Sequence, residues 1–147
     1  NLLLVYTGLK RTAHRIASDY VGKLQTSKKS NIMKISNFVY EAEKILKNSS
    51  LDSFGELLHE SWIEKKSLSS VISNSSIDNI YNSAIRNGAL GGKLLGAGGG
   101  GFFLFYVPLS KQKNFKRKLK KLITIPFKFT SEGSRIMYKN FNEENKL

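Results

Sequence analysis

Gly88 to Val107 have the sequence GALGGKLLGAGGGGFFLFYV, in which a concentration of glycine gives way to a continuous apolar run. Eight of the chain's 12 glycines lie between Gly88 and Gly101. Because glycine loses more backbone entropy on folding than any other residue, this concentration indicates a backbone that needs positive φ or a close approach to another group. The apolar run Phe102 to Val107 predicts a strand buried on both faces. The sequence therefore predicts a glycine loop that opens directly into a buried strand.

The spacing of these glycines excludes two common nucleotide-binding motifs. Gly96, Gly98 and Gly101 satisfy G-x-G-x-x-G, but a dinucleotide-binding loop opens a helix, whereas this one opens a strand. The Gly-Lys-Ser or Gly-Lys-Thr ending of a Walker A loop is absent. Two interpretations remain open. The backbone N–H groups approach a phosphate, or the glycines form a bulged hairpin in which they serve only close packing.

The segment Lys93 to Gly101, KLLGAGGGG, resembles the third, C-terminal motif of the GHMP kinases, which include galactokinase, homoserine kinase and mevalonate kinase. Gly88 to Tyr106 is most similar to the sugar-kinase branch that phosphorylates heptose 7-phosphate. The opening segment Leu2 to Gly8 and the segment His59 to Ser73 also resemble that branch. The likeness spans most of the chain.

The resemblance implies an ATP-dependent phosphotransferase of the cytoplasm, which transfers the γ-phosphate of ATP to the anomeric hydroxyl of a sugar phosphate, heptose 7-phosphate. Because the glycine motif is shared across the family, galactose, fucose and mevalonate remain alternative substrates. ATP and Mg²⁺ are the implied cofactors. The loop that faces the nucleotide and shapes the phosphate and substrate region corresponds to Gly96, Ala97, Gly98, Gly99, Gly100 and Gly101. The family's N-terminal nucleotide-binding loop, Pro-x-x-x-Gly-Leu-Gly-Ser-Ser-Ala, does not occur here. We therefore expect a fragment whose N-terminal domain, with the catalytic base and the Mg²⁺ ligands, is missing and would be its partner.

Four side chains are candidates for substrate binding. Lys93 adjoins the loop, where it is either an anion contact or a solvated surface lysine. Trp62 and Lys66 share a helical stripe with His59, so Trp62 forms either the wall of a sugar site or part of the core. Lys65 and Lys66 are either partners of the substrate's existing phosphate or solvated lysines.

The composition also bears on nucleic-acid binding, metal binding and membrane association. The formal charge is +13, and Lys111 to Lys121, KQKNFKRKLKK, holds seven cations and no acid. Such a run is either the solvated face of a helix or the footprint of a nucleic-acid-binding module, which its single aromatic, Phe115, makes the weaker alternative. A chain without cysteine and with 2 histidines is a poor candidate for a metal site. No apolar run is long enough to span a bilayer, so we expect no membrane partner.

The pattern of residues predicts an α+β fold with helices packed on one face of a mainly antiparallel sheet. One domain is expected over residues 1–139, followed by a polar tail at residues 140–147. The predicted elements are a strand at Asn1–Thr7, helices at Thr12–Leu24, Ile32–Lys47, Asp52–Lys65 and Asp78–Asn87, the strand Phe102–Val107, a basic helix within Lys111–Lys121, and short strands at Pro126–Phe129 and Arg135–Tyr138.

Overall fold

A computed structural model describes residues 1–10, 12–48 and 50–138. In this part of the chain, helices pack against one four-stranded antiparallel sheet with the strand order β2-β3-β1-β4. The strands are β1 (Leu2–Tyr6), β2 (Gly91–Leu94), β3 (Phe102–Tyr106) and β4 (Ile123–Ile125), and the helices are α1 (Ala13–Val21), α2 (Lys29–Asn48), α3 (Leu51–Leu68), α4 (Ser75–Arg86) and α5 (Leu109–Lys118). The predicted α+β fold is confirmed. The predicted tail at residues 140–147 lies outside the described residues.

The strand register decides which side chains form the core. β1 pairs with β3 so that Val5 lies opposite Phe103, and β3 pairs with β2 so that Phe103 lies opposite Leu94. Because side chains alternate between the two faces of a strand, these residues and Phe105 share one face, and all four are fully buried. The rings of Phe103 and Phe105 stack with centroids 4.9 Å apart.

The other strand face is covered less completely, which corrects the prediction of a strand buried on both faces. In β3, Phe102 and Leu104 are half-buried, whereas Phe103 and Phe105 are fully buried. The helices lie over the fully buried face, where Trp62 of α3 meets Phe103 edge-on at 5.6 Å. Among the described residues, no helix combines the length and the apolar character that crossing a membrane requires.

Side-chain caps begin two of the helices. Ser50 accepts a hydrogen bond from the backbone N–H of Asp52 at 3.3 Å, so α3 begins earlier than the sequence predicted. Asn74 accepts from the N–H of Ile77 at 3.1 Å and begins α4. A 3₁₀ turn at Ser70–Ile72 separates these helices and leads the chain back towards the sheet.

The sequence misplaced the remaining strands. The sequence predicts no strand at β2 (Gly91–Leu94), because two of its four residues are glycines, which have low strand propensity. The predicted strands at Pro126–Phe129 and Arg135–Tyr138 are wrong. β4 instead ends at Ile125, since Pro126 has no N–H with which to continue a ladder. Phe129 and Tyr138 are more than 80% exposed and have no strand to pair with in the described chain.

Candidate functional site

The glycine loop, Leu95 to Gly101, connects β2 to β3 and has a backbone that glycine alone adopts readily. Gly96, Gly98, Gly99 and Gly101 have φ values of 69°, 116°, 74° and 93°. No non-glycine residue of the described chain has a positive φ. L-residues meet a steric penalty in this region, so the loop's conformation explains why the sequence concentrates glycine here.

Hydrogen bonds to two neighbouring segments hold the loop in place. The Gly99 N–H donates to the Ile72 carbonyl at 2.8 Å, and the Gly101 N–H donates to the Leu9 carbonyl at 2.9 Å. Thr7 donates to the Gly101 carbonyl twice, from its backbone N–H at 2.9 Å and from its hydroxyl at 2.8 Å. The loop is therefore a fixed element of the fold, tied to the end of β1 and to the 3₁₀ turn.

Close packing is a second reason for glycine in this loop. A Cβ added at Gly100 would lie 2.5 Å from the Leu9 carbonyl oxygen, and one at Gly98 would lie 3.0 Å from the Ile72 Cα. Distances below 3.4 Å are tighter than ordinary van der Waals contact. The packing interpretation thus applies to part of the loop, whereas Cβ atoms at Gly96 and Gly101 would meet no atom within 4 Å.

Four backbone amides of the loop are left without a protein acceptor. Within the part of the chain that the structure describes, the N–H groups of Gly96, Ala97, Gly98 and Gly100 donate to no other group. The same four residues line a surface pocket of about 510 Å³, to which Lys10 also contributes. Clustered backbone N–H groups form concavities that bind anions such as phosphate.

Lys65 is the predicted site residue that the structure brings to the loop. Its side chain is buried, and its Nζ donates to the carbonyls of Leu94 at 2.7 Å and Gly96 at 2.5 Å. Burial, and secondarily the charge of Lys93, lowers the pKa of Lys65 to about 8. The ammonium therefore points at the loop's own backbone.

The other three predicted side chains lie away from the loop pocket. Lys93 donates to the Ser61 hydroxyl at 2.7 Å, on the α3 side of β2, where burial lowers its pKa. Trp62 is fully buried, and its indole N–H has no partner in the described chain. The Lys66 Nζ lies 5.6 Å from the centre of the Trp62 ring and 3.3 Å from the Asp78 carboxylate. Contact of any of the four side chains with a substrate stays a prediction.

Sequence reasoning missed the segment that faces the loop across the pocket. The pocket is lined on this side by Leu9, Lys10 and Ala13. They lie there because β1 pairs with β3 so that Tyr6 is opposite Phe102, and the chain that follows β1 therefore passes the loop. No local pattern reveals such a pairing. A second pocket, of about 360 Å³, is lined by Gly99 and by residues that include Arg15, Ser73 and Asn74. Each of the two pockets is thus lined by glycine of the loop and by one cationic side chain.

The described residues contain no group of three or more His, Cys, Asp or Glu side chains able to hold a metal ion. Two acids, Asp78 and Asp19, have hydrogen-bond partners of their own. Asp78 accepts from Ser73 at 2.9 Å as well as from Lys66, and Asp19 accepts from the Ser69 hydroxyl. The groups that the described loop offers to a ligand are backbone amides without a protein acceptor.

Comparison with known proteins shows that the chain is similar to kinases. The family model described as "GHMP kinases C terminal" matches residues 42–124. The chain is 34% identical over 134 residues to D-glycero-alpha-D-manno-heptose 7-phosphate kinase of Campylobacter jejuni. The matched region covers 89% of this chain and 40% of that protein. The chain is 30% identical over 122 residues to the bifunctional fucokinase/GDP-fucose pyrophosphorylase of Arabidopsis thaliana, covering 80% of this chain and 12% of that protein.

The fold agrees with a solved structure. Mevalonate kinase of Methanococcus jannaschii superposes with a TM-score of 0.69 at 28% identity, over 84% of this chain and 38% of that protein. The chain thus spans less than half the length of each of these relatives.

Proposed function

The chain belongs to the GHMP kinases, and we propose that it is the C-terminal domain of an ATP-dependent kinase that phosphorylates a heptose 7-phosphate at the anomeric hydroxyl. The 34% identity to the Campylobacter jejuni heptose 7-phosphate kinase supports this choice of substrate. Similarity to a fucokinase supports the broader class of sugar kinases.

The glycine loop is the observation on which the proposal rests. Phosphoryl transfer needs positioned reactants and stabilisation of the charge that develops on the transferred group, and it needs little covalent chemistry from the protein. The amides of Gly96, Ala97, Gly98 and Gly100 have no protein acceptor in the described chain and line a pocket with Lys10. In our proposal they hold phosphate oxygens, and Lys10 adds a positive charge at the rim.

Mg·ATP would supply the phosphoryl group and neutralise part of its charge. We assign the catalytic base and the Mg²⁺ ligands to an N-terminal domain, as the family resemblance implies. That domain would complete the site and would be this chain's partner. A cytoplasmic location stays a prediction.

A kinase assay on the full-length protein that contains this chain tests the proposal. ADP release with Mg·ATP is measured against heptose 7-phosphate, galactose, fucose, mevalonate and homoserine. We expect turnover on heptose 7-phosphate, lost in Gly98→Ala, where a Cβ would press on Ile72 at 3.0 Å and φ is 116°. Gly22→Ala, with no atom within 4 Å, is the matched control and should remain active.

Turnover on another sugar or on mevalonate would keep the family's chemistry and refute the heptose assignment. Turnover that survives in folded Gly98→Ala would refute the role of the loop. Inactivity towards the whole panel would contradict the kinase proposal.

The basic segment Lys111 to Lys121 supports a second candidate, a nucleic-acid-binding module. None of its seven cations takes part in an ion pair among the described residues. Binding through such a segment would weaken steeply as salt is added, because phosphate contacts release counterions. This candidate leaves the glycine loop without a role, which is why we favour the kinase.

A further inference from the structure

We propose that Lys65 is a positioning residue of the glycine loop, which fixes the entry to the loop and polarises the Gly96–Ala97 peptide so that the Ala97 N–H binds an anion. This inference rests on the proposed function, since it concerns the same loop. It gives Lys65 a role through the backbone and not through contact with a substrate.

The contacts of the ammonium support the first half of the proposal. The Lys65 Nζ donates to the Leu94 carbonyl at 2.7 Å, where β2 ends, and to the Gly96 carbonyl at 2.5 Å, two residues later. Between these two carbonyls the chain changes from strand to left-handed backbone, with φ of 69° at Gly96. One cation thus joins the rigid strand to the first positive-φ residue of the loop.

The geometry of the peptide bond supports the second half. A trans peptide is planar, so its C=O and N–H point in opposite directions. The Gly96 carbonyl points to Lys65, and therefore the N–H of the same peptide, which belongs to Ala97, points away from it. That N–H has no acceptor in the described chain, and Ala97 lines the pocket of about 510 Å³. Hydrogen bonds in series polarise one another, so a cation on the carbonyl strengthens the N–H as a donor.

The surroundings leave the charge of Lys65 uncancelled. No carboxylate of the described chain pairs with it. From β2, Lys93 repels it. On α3 itself, Glu64 pairs with Lys34 of α2, and Lys66 pairs with Asp78 of α4. A buried cation whose partners are two carbonyls is costly to desolvate, and it directs its field at the loop.

The first experiment compares Lys65→Met, Lys65→Arg and Lys47→Met in the full-length protein. Lys47 is an exposed lysine of α2, so its replacement controls for the loss of one charge. We expect Lys65→Met to lower kcat/KM for ATP by about tenfold with the folded fraction unchanged, since one charge-assisted contact is lost. Lys65→Arg keeps the charge and should retain more activity than Lys65→Met.

The pH profile separates positioning from mere packing. As pH rises through about 8 the Lys65 ammonium loses its proton, so the wild-type kcat/KM should fall there. Lys65→Met should lack this fall, and Lys65→Arg should also lack it because guanidinium stays protonated. Wild-type activity and an unchanged profile in folded Lys65→Met would overturn the proposal, whereas loss in Gly98→Ala would still uphold the loop's function.

A second measurement decides the matter if the variants do not fold or the kinase assay shows no turnover. The amide ¹⁵N and ¹H shifts of Ala97 are followed by NMR in the wild-type protein as sulfate is added at pH 7 and at pH 9.5. We expect a sulfate-dependent shift at Ala97 that is large at pH 7 and much smaller at pH 9.5. An equal response at both pH values, or none at either, would overturn the proposal.

Discussion

Two groups of glycines lie in one short stretch of sequence, Gly91 and Gly92 in β2 and the glycines of the loop that follows. The fold requires glycine at the two places for different reasons. A Cβ at Gly91 would lie 1.9 Å from the Gly55 carbonyl oxygen, and one at Gly92 would lie 2.3 Å from the Phe105 ring. At Gly96, in contrast, a Cβ would meet nothing within 4 Å, and the constraint is a φ of 69°. In β2, glycine allows a helix and a ring to approach the backbone. In the loop, glycine allows a backbone conformation with positive φ.

Gly91→Ala should have the largest effect on stability. The added methyl group would overlap the backbone of α3, which cannot move without disturbing the core around Trp62, so we expect a loss of about 3 kcal/mol or failure to fold. Urea unfolding measures the loss, with Gly22→Ala as the control that should change stability by about 0.5 kcal/mol or less. A loss below about 1 kcal/mol would break the distinction between the two sets of glycines.

Gly96→Ala should separate function from stability. Placing alanine at positive φ costs about 1–2 kcal/mol, and there is no clash to add to it. The carbonyl that Lys65 holds belongs to this residue, so we expect kinase activity to fall by more than the folded fraction does. Parallel unfolding and activity measurements test this. Activity that merely tracks the folded fraction would make the loop glycines resemble those of β2.

The pH dependence of stability should reveal the buried cation beside the loop. The pKa of Lys65 is about 8 in the folded chain, against the 10.5 that is usual for a lysine side chain. Between these pH values the unfolded chain binds more protons, so this group makes the unfolding free energy rise with pH from about 8 to 10.5. Urea unfolding across this range should show a rise in the wild type that is reduced in Lys65→Met. Identical slopes in both proteins would refute the burial of the charge.

Substitutions on α5 should have the smallest effect and set the baseline for the comparison. Lys113 and Arg117 are exposed, and Arg117 contacts Asn114 of the same helix. Replacing both by glutamine should change the unfolding free energy by about 0.5 kcal/mol or less. A measured loss above 1 kcal/mol would show that α5 contributes to the fold through its charges. Loss of salt-sensitive DNA binding would instead support the second candidate function.

The loop and β3 could be predicted from the sequence because one local property decides each of them. Glycine at positive φ located the loop, and the apolar run located β3, since both follow from the residue types themselves. Long-range packing decided the rest. β2 contains two glycines and forms a strand because α3 and Phe105 press against it, which propensity does not encode. Phe, Ile and Tyr near residue 129 and residue 136 have strand propensity, but they form no strand in the described chain.

The candidate site shows the same division. Composition identified the loop, but charge alone gave no indication that Lys65 turns inward to two carbonyls while Lys66 remains at the surface near Asp78. The orientation of α3 on the sheet decides this, and α3 packs so closely on β2 that a Cβ at Gly91 would lie 1.9 Å from the Gly55 carbonyl oxygen. Lys10 lines the pocket beside the loop because β1 pairs with β3. Neither the packing of α3 on β2 nor the pairing of β1 with β3 can be predicted from a short stretch of sequence.

The two outer strands of the sheet also bear on how the protein behaves at high concentration. An edge strand with free backbone groups can template another chain and start fibril growth. On one edge, Lys65 occupies the Leu94 carbonyl of β2 and α3 packs against that strand. On the other, β4 is three residues long and is followed at once by Pro126, which cannot donate to a ladder. The lysine that orders the glycine loop therefore also helps to keep neighbouring molecules from adding strand by strand.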